Sequence, residues 1–224
     1  MSGRDAAHAM IERSPFFRAA GEGAMKDMLV PSFVQSLPKG TVLFEQGREC
    51  EFLHLLLTGS VGLHAKGGGR RATVVEILRD GEVFLAPAVV LRLSCPVSAV
   101  ALTAIRVLMI PAAHFRRQLH ARPEIGRASY ELLCRHWNVM VDQVVDLKLN
   151  DVETRVSRFI AHRISEEAAH GRAILPEPRT AIAARLGMTP ETLSRAITSL
   201  EEKGALRRGG GSGWRCPAPR PPTA

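Results

Sequence analysis

Three side chains in the last fifth of the chain could form hydrogen bonds to a partner along one helix face. Glu191, Ser194 and Arg195 lie in the segment TPETLSR. If residues 190–202 are helical, a rotation of 100° per residue places these three side chains, with Thr198, opposite an apolar row. A carboxylate, a hydroxyl and a guanidinium can match the donors and acceptors on a DNA base edge, but they form no nucleophile–base set for catalysis.

The surrounding segment predicts a helix-turn-helix. In RTAIAARLGMTPETLSRAITSLEEKG the first helix turns Ile182 and Leu186 inward, and Gly187 supplies the left-handed conformation of a tight turn. Thr189 is the predicted N-cap of the second helix, and Pro190 takes its first position, where a missing N–H costs nothing. The alternative is a helical hairpin with a solvated face. The basic segment KGALRRGGGSGW follows as a predicted wing, which favours DNA binding.

The predicted DNA contacts divide into base-reading and phosphate-binding ones. Arg195 could bridge guanine O6 and N7, and Glu191 could accept from a cytosine amine. Arginines at the start of the first helix and in the wing would bind phosphates. The full predicted set is Arg179, Thr189, Glu191, Thr192, Ser194, Arg195, Thr198, Arg207 and Arg208.

The positive charge is concentrated toward the C-terminus, as binding to an anionic partner would require. The net charge is +8, and residues 171–224 contain nine Lys or Arg and four Glu. This balance indicates nucleic acid or an acidic surface. No apolar run approaches the roughly eighteen residues of a membrane span, and MSGRDAAHAM is unlike a secretory signal. We therefore expect a cytoplasmic protein without a membrane partner.

The pattern of apolar residues changes along the chain. Short apolar runs with glycine turns predict β structure over residues 33–110, with a hairpin at the glycines 67–69 and a short helix before it at residues 24–29. A long helix is predicted from residue 123 to about 149, because this segment has no internal proline. A hinge at Asn150 would divide two domains.

Six apolar residues recur at alternating steps of three and four on this long helix. Such a heptad seam suits a parallel partner helix and predicts a homodimer. The alternative is that the stripe packs on the chain's own β domain. The predicted seam is Tyr130, Leu133, Trp137, Met140, Val144 and Leu147.

Taken together, these segments resemble the Crp/Fnr superfamily over nearly the whole chain. LPKGTVLFEQG, FLHLLLTGSV and DGEVF resemble the turns of its cyclic-nucleotide-binding-like β roll, and LKLNDVETRVSRFIA resembles its hinge and first DNA-domain helix. The E-x-x-S-R pattern in TPETLSR is similar to the Fnr-like branch. The resemblance implies an α+β fold, divided as follows: a β-roll sensor (1–122), a dimerisation helix (123–149), a winged helix-turn-helix (150–210) and a flexible tail (211–224).

The resemblance also implies a function. A dimeric transcription regulator of this type would couple an effector signal in the roll to an inverted pair of TTGAT-like half-sites on double-stranded DNA. RNA polymerase is then an implied partner. The effector would be a small molecule or a gas.

The sensor residues depart from the pattern of cyclic-AMP binders. Those proteins place an Arg-Ser pair on the phosphate, where this chain has Cys95-Pro96, and a Thr-Ser pair on adenine, where it has Met140-Val141. Without the arginine, a phosphate loses a strong charge-assisted hydrogen bond. Glu82 is retained, but it is equally suited to a turn. The sequence predicts no binding of cyclic AMP, and no N-terminal iron-sulfur cluster, because no cysteine precedes Cys50.

Haem is a further possibility for the effector site. His54 lies in the apolar strand FLHLLL, and a buried neutral imidazole is a suitable iron ligand. His136 would carry a change of axial ligand into the dimer seam. The alternative is a core histidine bonded to a backbone carbonyl and a solvated His136. The predicted effector pocket is His54, Glu82, Cys95, His136, Met140 and Val141, with His54 as the possible haem ligand.

The cysteines and histidines bear on other classes of function. The same fold could act without a ligand, or as a thiol switch through Cys95 or Cys134. The four cysteines lack CxxC spacing, and free buried thiols are expected. A cupin-type metalloenzyme needs an H-x-H pair, whereas His54 and His64 lie ten residues apart. The sequence therefore predicts no enzyme.

Overall fold

The computed structural model describes residues 9–67, 72–84, 86–166, 173–209 and 213–215, with the backbone alone at 165–166, 173–174, 208–209 and 213–215. The chain divides into two compact units, Met1–Met140 and Val141–Ala224. No helix within these ranges is long and apolar enough to cross a membrane. The predicted hairpin glycines at 68–69, and the tail after residue 215 with Cys216, lie outside the described residues.

Two four-stranded antiparallel sheets form most of the first unit. Their orders are β1-β8-β3-β6 and β2-β7-β4-β5. The strands are β1 (Phe33–Leu37), β2 (Val42–Phe44), β3 (Phe52–Thr58), β4 (Val61–Ala65), β5 (Thr73–Leu78), β6 (Val83–Phe84), β7 (Ser98–Ala101) and β8 (Ile105–Pro111). The predicted β structure over residues 33–110 is confirmed, apart from one helix.

A single apolar core joins the two sheets and the helices beside them. The run FLHLLLT of β3 is buried on both faces at its centre, because both faces of this strand are covered. Gly59 follows at φ +94°, and a Cβ there would lie 2.4 Å from the carbonyl oxygen of Ala104. Only glycine fits this close turn between β3 and β4.

Besides the helical residues 9–13, four short helices accompany the sheets in the part of the chain that the structure describes. They are α1 (Pro15–Ala20), α2 (Glu22–Leu29), α3 (Ala86–Leu91) and α4 (Ala112–Ala121). The helix predicted at residues 24–29 begins two residues earlier, at Glu22. The α3 segment APAVVL was not predicted as a helix, because a short run that is apolar on all sides has no helical period.

The long helix α5 (Pro123–Leu149) has the predicted bounds. It ends at Asn150, whose side-chain amide donates to Asp146 Oδ1 at 2.6 Å. The Asp151 carboxylate then accepts from the backbone N–H of Thr154 at 2.8 Å and caps the next helix, α6 (Val152–Glu166). The predicted break in the helix at Asn150 is confirmed, whereas the boundary between the two compact units lies between Met140 and Val141, inside α5.

The second unit packs three helices beside a small sheet. It contains α6, α7 (Arg179–Arg185) and α8 (Pro190–Glu202), and the strand order is β10-β11-β9, with β9 (Ala173–Ile174), β10 (Arg207–Gly209) and β11 (Gly213–Arg215). Residues 213–215 were assigned to the flexible tail, which is wrong, since they pair with both neighbouring strands. The α+β fold class, with a β domain, a long helix and a C-terminal helix-turn-helix, is confirmed.

Candidate nucleic-acid interface

The start of α8 is fixed by its capping residues. Thr189 Oγ1 accepts from the backbone N–H of Thr192 at 3.2 Å, and Pro190 is the first helical residue. Gly187 adopts φ +65° in the turn before it. The predicted cap and turn are confirmed, and they hold the residues at the start of the helix in a defined direction.

The two faces of α8 differ as the sequence predicts. Its inner face is buried among the helices of the second unit and consists of Leu193, Ala196, Ile197 and Leu200. Glu191, Arg195 and Thr198 are exposed on the other side, and Ser194 is half-buried beside them. A row of hydrogen-bonding groups is therefore available to a partner.

Hydrogen bonds connect these outward side chains before any partner binds. Arg179 Nη1 donates to Ser194 Oγ at 3.3 Å. Arg195 Nη2 donates to Thr192 Oγ1 at 3.4 Å. Such bonds between exposed groups are weak in water, but they bias the directions in which the guanidinium groups point.

Glu191 is an ionised acceptor at the helix start. Its pKa lies below the ordinary value, first because its own backbone N–H donates to the carboxylate, and then because of the Thr189 hydroxyl and the charge of Arg195. A carboxylate at the positive end of a helix is stabilised in its charged form. It can therefore accept a hydrogen bond from an amino group on a base.

A polar contact that the sequence did not reveal holds α8 against α6. The carboxylate of Glu153 accepts from Ser199 Oγ at 2.8 Å and forms an ion pair with Lys203. Both contacts lower the pKa of Glu153 from its ordinary value, the one with Lys203 more strongly. In the sequence, the only indication of this contact is that Glu153 and Lys203, 50 residues apart, have opposite charges.

A buried ion pair joins α6 to the segment before α7. Arg163 is 5% exposed and Glu177 is 4% exposed, with 4.0 Å between Nη2 and Oε1. The guanidinium also lies 5.0 Å from the centre of the Phe159 ring, in a cation–π contact. The sequence does not reveal this pair, because single charged residues on a helix are usually solvated.

The last turn of α5 contacts the helix-turn-helix. A Cβ on Gly187 would lie 2.7 Å from Leu147 Cδ2. The Leu147 side chain is exposed and can move aside, so it is the positive φ that makes glycine necessary at this position. Leu147, a predicted seam residue, is thus in contact with the turn that precedes α8.

The wing carries the predicted basic residues on β10. Arg207 is exposed, as a phosphate contact requires. The side chain of Arg208 lies outside the described residues. Whether either arginine touches DNA stays a prediction.

The faces of α5 separate a buried row from an exposed one. Ile125, Ala128 and Leu132 belong to the core of the first unit. Tyr130 is 69% exposed and Trp137 is 70% exposed. Met140, Val144 and Leu147 are also exposed and Leu133 is half-buried, so the predicted seam is available for a contact outside the chain.

His54 lies among aromatic rings inside the first unit. Its ring stacks on Phe84 with centroids 5.1 Å apart, and Phe44 and Phe52 lie at 5.4 Å and 6.3 Å. Neither ring nitrogen has a hydrogen bond of normal geometry. Burial lowers the pKa of His54 to about 4, and the Phe52 backbone offsets part of this shift. His54 is therefore neutral at physiological pH, with the Phe52 backbone as a polar neighbour.

These contacts bear on the haem hypothesis. An axial ligand needs an open volume for the porphyrin beside its ring nitrogen, whereas His54 is 3% exposed and stacked on Phe84. The packing around His54 does not fit haem. As a separate observation, no group of three or more His, Cys, Asp or Glu in the described part of the chain could hold a bare metal ion.

The cysteines occupy two kinds of environment. Cys50 and Cys95 are buried, as expected, whereas Cys134 is exposed, because it lies on a side of α5 turned away from the roll. Burial raises the pKa of Cys95 to about 12, and a hydrogen bond with Cys50 adds to the shift. A thiol with so high a pKa is a poor nucleophile at neutral pH, which disfavours Cys95 as a redox sensor.

The other predicted pocket residues have neighbours of their own. The Glu82 carboxylate accepts from the backbone N–H of Arg79 at 2.5 Å, as a turn residue does. Burial lowers the pKa of His136, Arg135 lowers it further, and nearby Glu76 opposes the shift. Met140 and Val141 are exposed on α5.

Two family models match the chain. Residues 34–122 match the cyclic nucleotide-binding domain, and residues 154–217 match the Crp-like helix-turn-helix domain. The match to the first covers the two-sheet unit, and the match to the second covers α7, α8 and the wing.

Curated proteins and solved structures agree with this order of domains. The nitrogen fixation regulation protein FixK of Bradyrhizobium diazoefficiens is 33% identical over 113 residues, which span about half of each protein, 49% of this chain and 48% of the relative. The CRP-like cAMP-activated global transcriptional regulator of Mycobacterium tuberculosis is 21% identical over 207 residues, covering 91% of this chain and 92% of that one. The structure of FixK2 from Bradyrhizobium japonicum has the same fold, with a TM-score of 0.74 at 21% identity over 83% of this chain and 92% of that one.

Proposed function

Because the chain belongs to the Crp/Fnr superfamily of DNA-binding transcription regulators with an effector-binding domain, we propose that it acts as a homodimer on an inverted pair of TTGAT-like half-sites. Each α8 would enter the major groove of one half-site. RNA polymerase would be the partner through which DNA binding changes transcription.

The main support for this proposal is the outward face of α8. Glu191, Ser194 and Arg195 stand together on the side opposite the buried Leu193 and Ile197. This face offers a charged acceptor, a hydroxyl and a guanidinium at the start of a capped helix, where helices of this motif contact base edges. Arg179, which is bonded to Ser194, and the exposed Arg207 of β10 would bind phosphates.

The exposed row on α5 supports the homodimer. Tyr130 and Trp137 are large apolar side chains with about 70% of their surface exposed. Exposed apolar residues in a heptad row on one helix are typical of an interaction surface. A second copy of α5 would cover them with the same residues.

The sensor is proposed to respond to something other than cyclic AMP. The position of the phosphate-binding arginine is taken by Cys95, which is 1% exposed and uncharged. The Glu82 carboxylate already accepts a backbone hydrogen bond within its own turn. A small molecule or gas acting on the roll would shift the population of α5 arrangements, and so set the spacing of the two α8 helices.

Anisotropy titrations of labelled duplexes can test the proposed function. The full-length protein should bind an inverted TTGAT pair at least a hundredfold more tightly than a scrambled duplex at one salt concentration, about 3 kcal/mol or more. Sedimentation velocity should give a dimer. Equal affinity for the two duplexes, or a monomer that binds the inverted pair tightly, would contradict the proposal.

Titration calorimetry can test the sensor separately. Cyclic AMP should give no binding heat at physiological nucleotide concentrations, because no positive side chain stands at Cys95. Micromolar affinity would refute this part of the proposal and leave DNA reading untouched.

A further inference from the structure

We propose that Arg179 takes part in sequence reading, by fixing the Ser194 hydroxyl as a hydrogen-bond donor toward the base edge. This inference rests on the proposed function. It assigns Arg179 a role besides its predicted phosphate contact, as a positioning residue. It also states which base chemistry Ser194 recognises.

The contact on which this rests joins two helices. Arg179 is the first residue of α7, and Ser194 lies in the second turn of α8. The distance from Nη1 to Oγ is 3.3 Å, across 15 residues of sequence. The bond therefore crosses the helix-turn-helix at the surface that would meet DNA.

The chemistry of the two groups sets the direction of this bond. A guanidinium has donors only, whereas a serine hydroxyl has one donor and two acceptor lone pairs. Ser194 must therefore accept from Arg179. Among the described residues its O–H meets no acceptor, so the proton remains available to a partner.

The consequence is a preference at one base pair in each half-site. A hydroxyl that accepts from a cation becomes a stronger donor, and it points its proton away from that cation. It would then select thymine O4 or a purine N7, and not the amino groups of cytosine or adenine. A serine without this neighbour could rotate to donate or accept and would discriminate less.

The neighbouring residues are arranged to read different groups. Arg195 is bonded to Thr192 Oγ1, and Glu191 is an ionised acceptor. The α8 face thus presents an acceptor at 191, a directed donor at 194 and a guanidinium at 195.

Selection from random-sequence duplexes by the full-length protein tests this proposal. Wild type, Arg179→Gln, Ser194→Ala and the double variant are compared, with Arg207→Gln as the matched control. Arg179 and Ser194 lie at the surface, so each variant should keep the wild-type circular dichroism spectrum. Arg179→Lys is added, because an ammonium group also only donates.

We expect wild type to enrich an inverted repeat. Arg179→Gln and Ser194→Ala should each lose about three- to tenfold of discrimination at the same base pair, the value of one hydrogen bond. The double variant should lose no more at that position. Arg179→Lys should restore most of the preference, and Arg207→Gln should weaken all sequences equally.

Three results would overturn the inference in distinguishable ways. If Arg179→Gln weakens every sequence equally, like Arg207→Gln, then Arg179 only binds phosphate. If Ser194→Ala changes no base preference while the repeat is still enriched, then Ser194 does not read a base and the proposed function stands. If wild type enriches no repeat, the proposed function itself fails.

Discussion

The buried ion pair of Arg163 and Glu177 should contribute to the stability of the helix-turn-helix more than an exposed ion pair does. Replacing Arg163 by Met keeps most of the side-chain volume but removes the cation that lies 4.0 Å from the buried Glu177 carboxylate. Breaking a buried pair on one side typically costs about 3–5 kcal/mol, because a buried charge remains uncompensated. We expect Arg163→Met to fall in this range.

The geometry supports a value in this range. Two unit charges 4.0 Å apart attract by about 4 kcal/mol at an effective dielectric constant near 20. The side chains of both residues are nearly inaccessible, at 6% and 0% exposure, so solvent screens the pair little. The cation–π contact with Phe159 would be lost as well.

Hydrogen exchange of the full-length protein, resolved by peptide, measures this local free energy. Peptides from α7 and α8 should exchange faster by roughly two to nearly four orders of magnitude in Arg163→Met, as about 3–5 kcal/mol implies. Arg158→Met on the same helix is the matched control. Its partner Asp146 lies at 3.2 Å, but Arg158 is half exposed, so its loss should cost less than about 1 kcal/mol.

A double variant separates the charge effect from lost packing. Arg163→Met with Glu177→Leu removes both charges and should recover most of the lost protection. If Arg163→Met and Arg158→Met accelerate exchange equally, the pair is solvated and the reasoning is wrong. If the double variant is less protected than Arg163→Met, lost packing and not a stranded charge explains the cost.

Three further predictions concern assembly, base reading and pH. Replacing Trp137 and Met140 by Glu should give monomers in sedimentation velocity and a loss of operator affinity, because like charges would meet in the seam; a persistent dimer would contradict the seam. In anisotropy titrations, Arg195→Ala should reduce the binding free energy by about 1–3 kcal/mol on the inverted repeat and by much less on random duplexes. Arg207→Ala should weaken binding to both duplexes equally. If Arg195→Ala also weakens both equally, Arg195 does not read a base. The pKa of His54 is about 4 in the folded state, whereas the ordinary value is 6.5. As the pH falls, the unfolded chain therefore takes up the proton first. The free energy of unfolding is highest above pH 6.5 and decreases between pH 6.5 and 4. Urea unfolding should lose about 2 kcal/mol more between pH 7.5 and 5 in wild type than in His54→Phe, and equal losses would show that His54 does not cause the effect.

The helix-turn-helix was predictable because its signals are local. Thr189, Pro190 and Gly187 each have a conformational role that depends on the adjacent residues alone, and the structure confirms all three. The inward and outward faces of α8 follow from the helical period in the same way. The bounds of α5 were predictable for the same reason, since Pro123 and Asn150 limit an uninterrupted period.

Contacts between distant segments were not predictable from the same patterns. The Arg163–Glu177 pair and the Glu153 carboxylate with Lys203 join residues that are 14 and 50 positions apart. Nothing near Arg163 distinguishes it from a solvated arginine, because its burial is decided by how α6 packs on the rest of the second unit. The hydrogen bond from Arg179 to Ser194 could not be predicted either, because it also depends on how two helices pack.

His54 shows where a local pattern stops being informative. The run FLHLLL predicts burial correctly, but a metal ligand and a core histidine give the same run. The difference lies in Phe44 and Phe84, which come from β2 and β6 and cover the imidazole. A buried imidazole without hydrogen bonds costs stability, of the order of 1–3 kcal/mol for each unsatisfied atom, and the surrounding aromatic contacts must offset that cost. The environment of His54 therefore depends on how strands distant in sequence meet around this ring, which the run FLHLLL alone does not show.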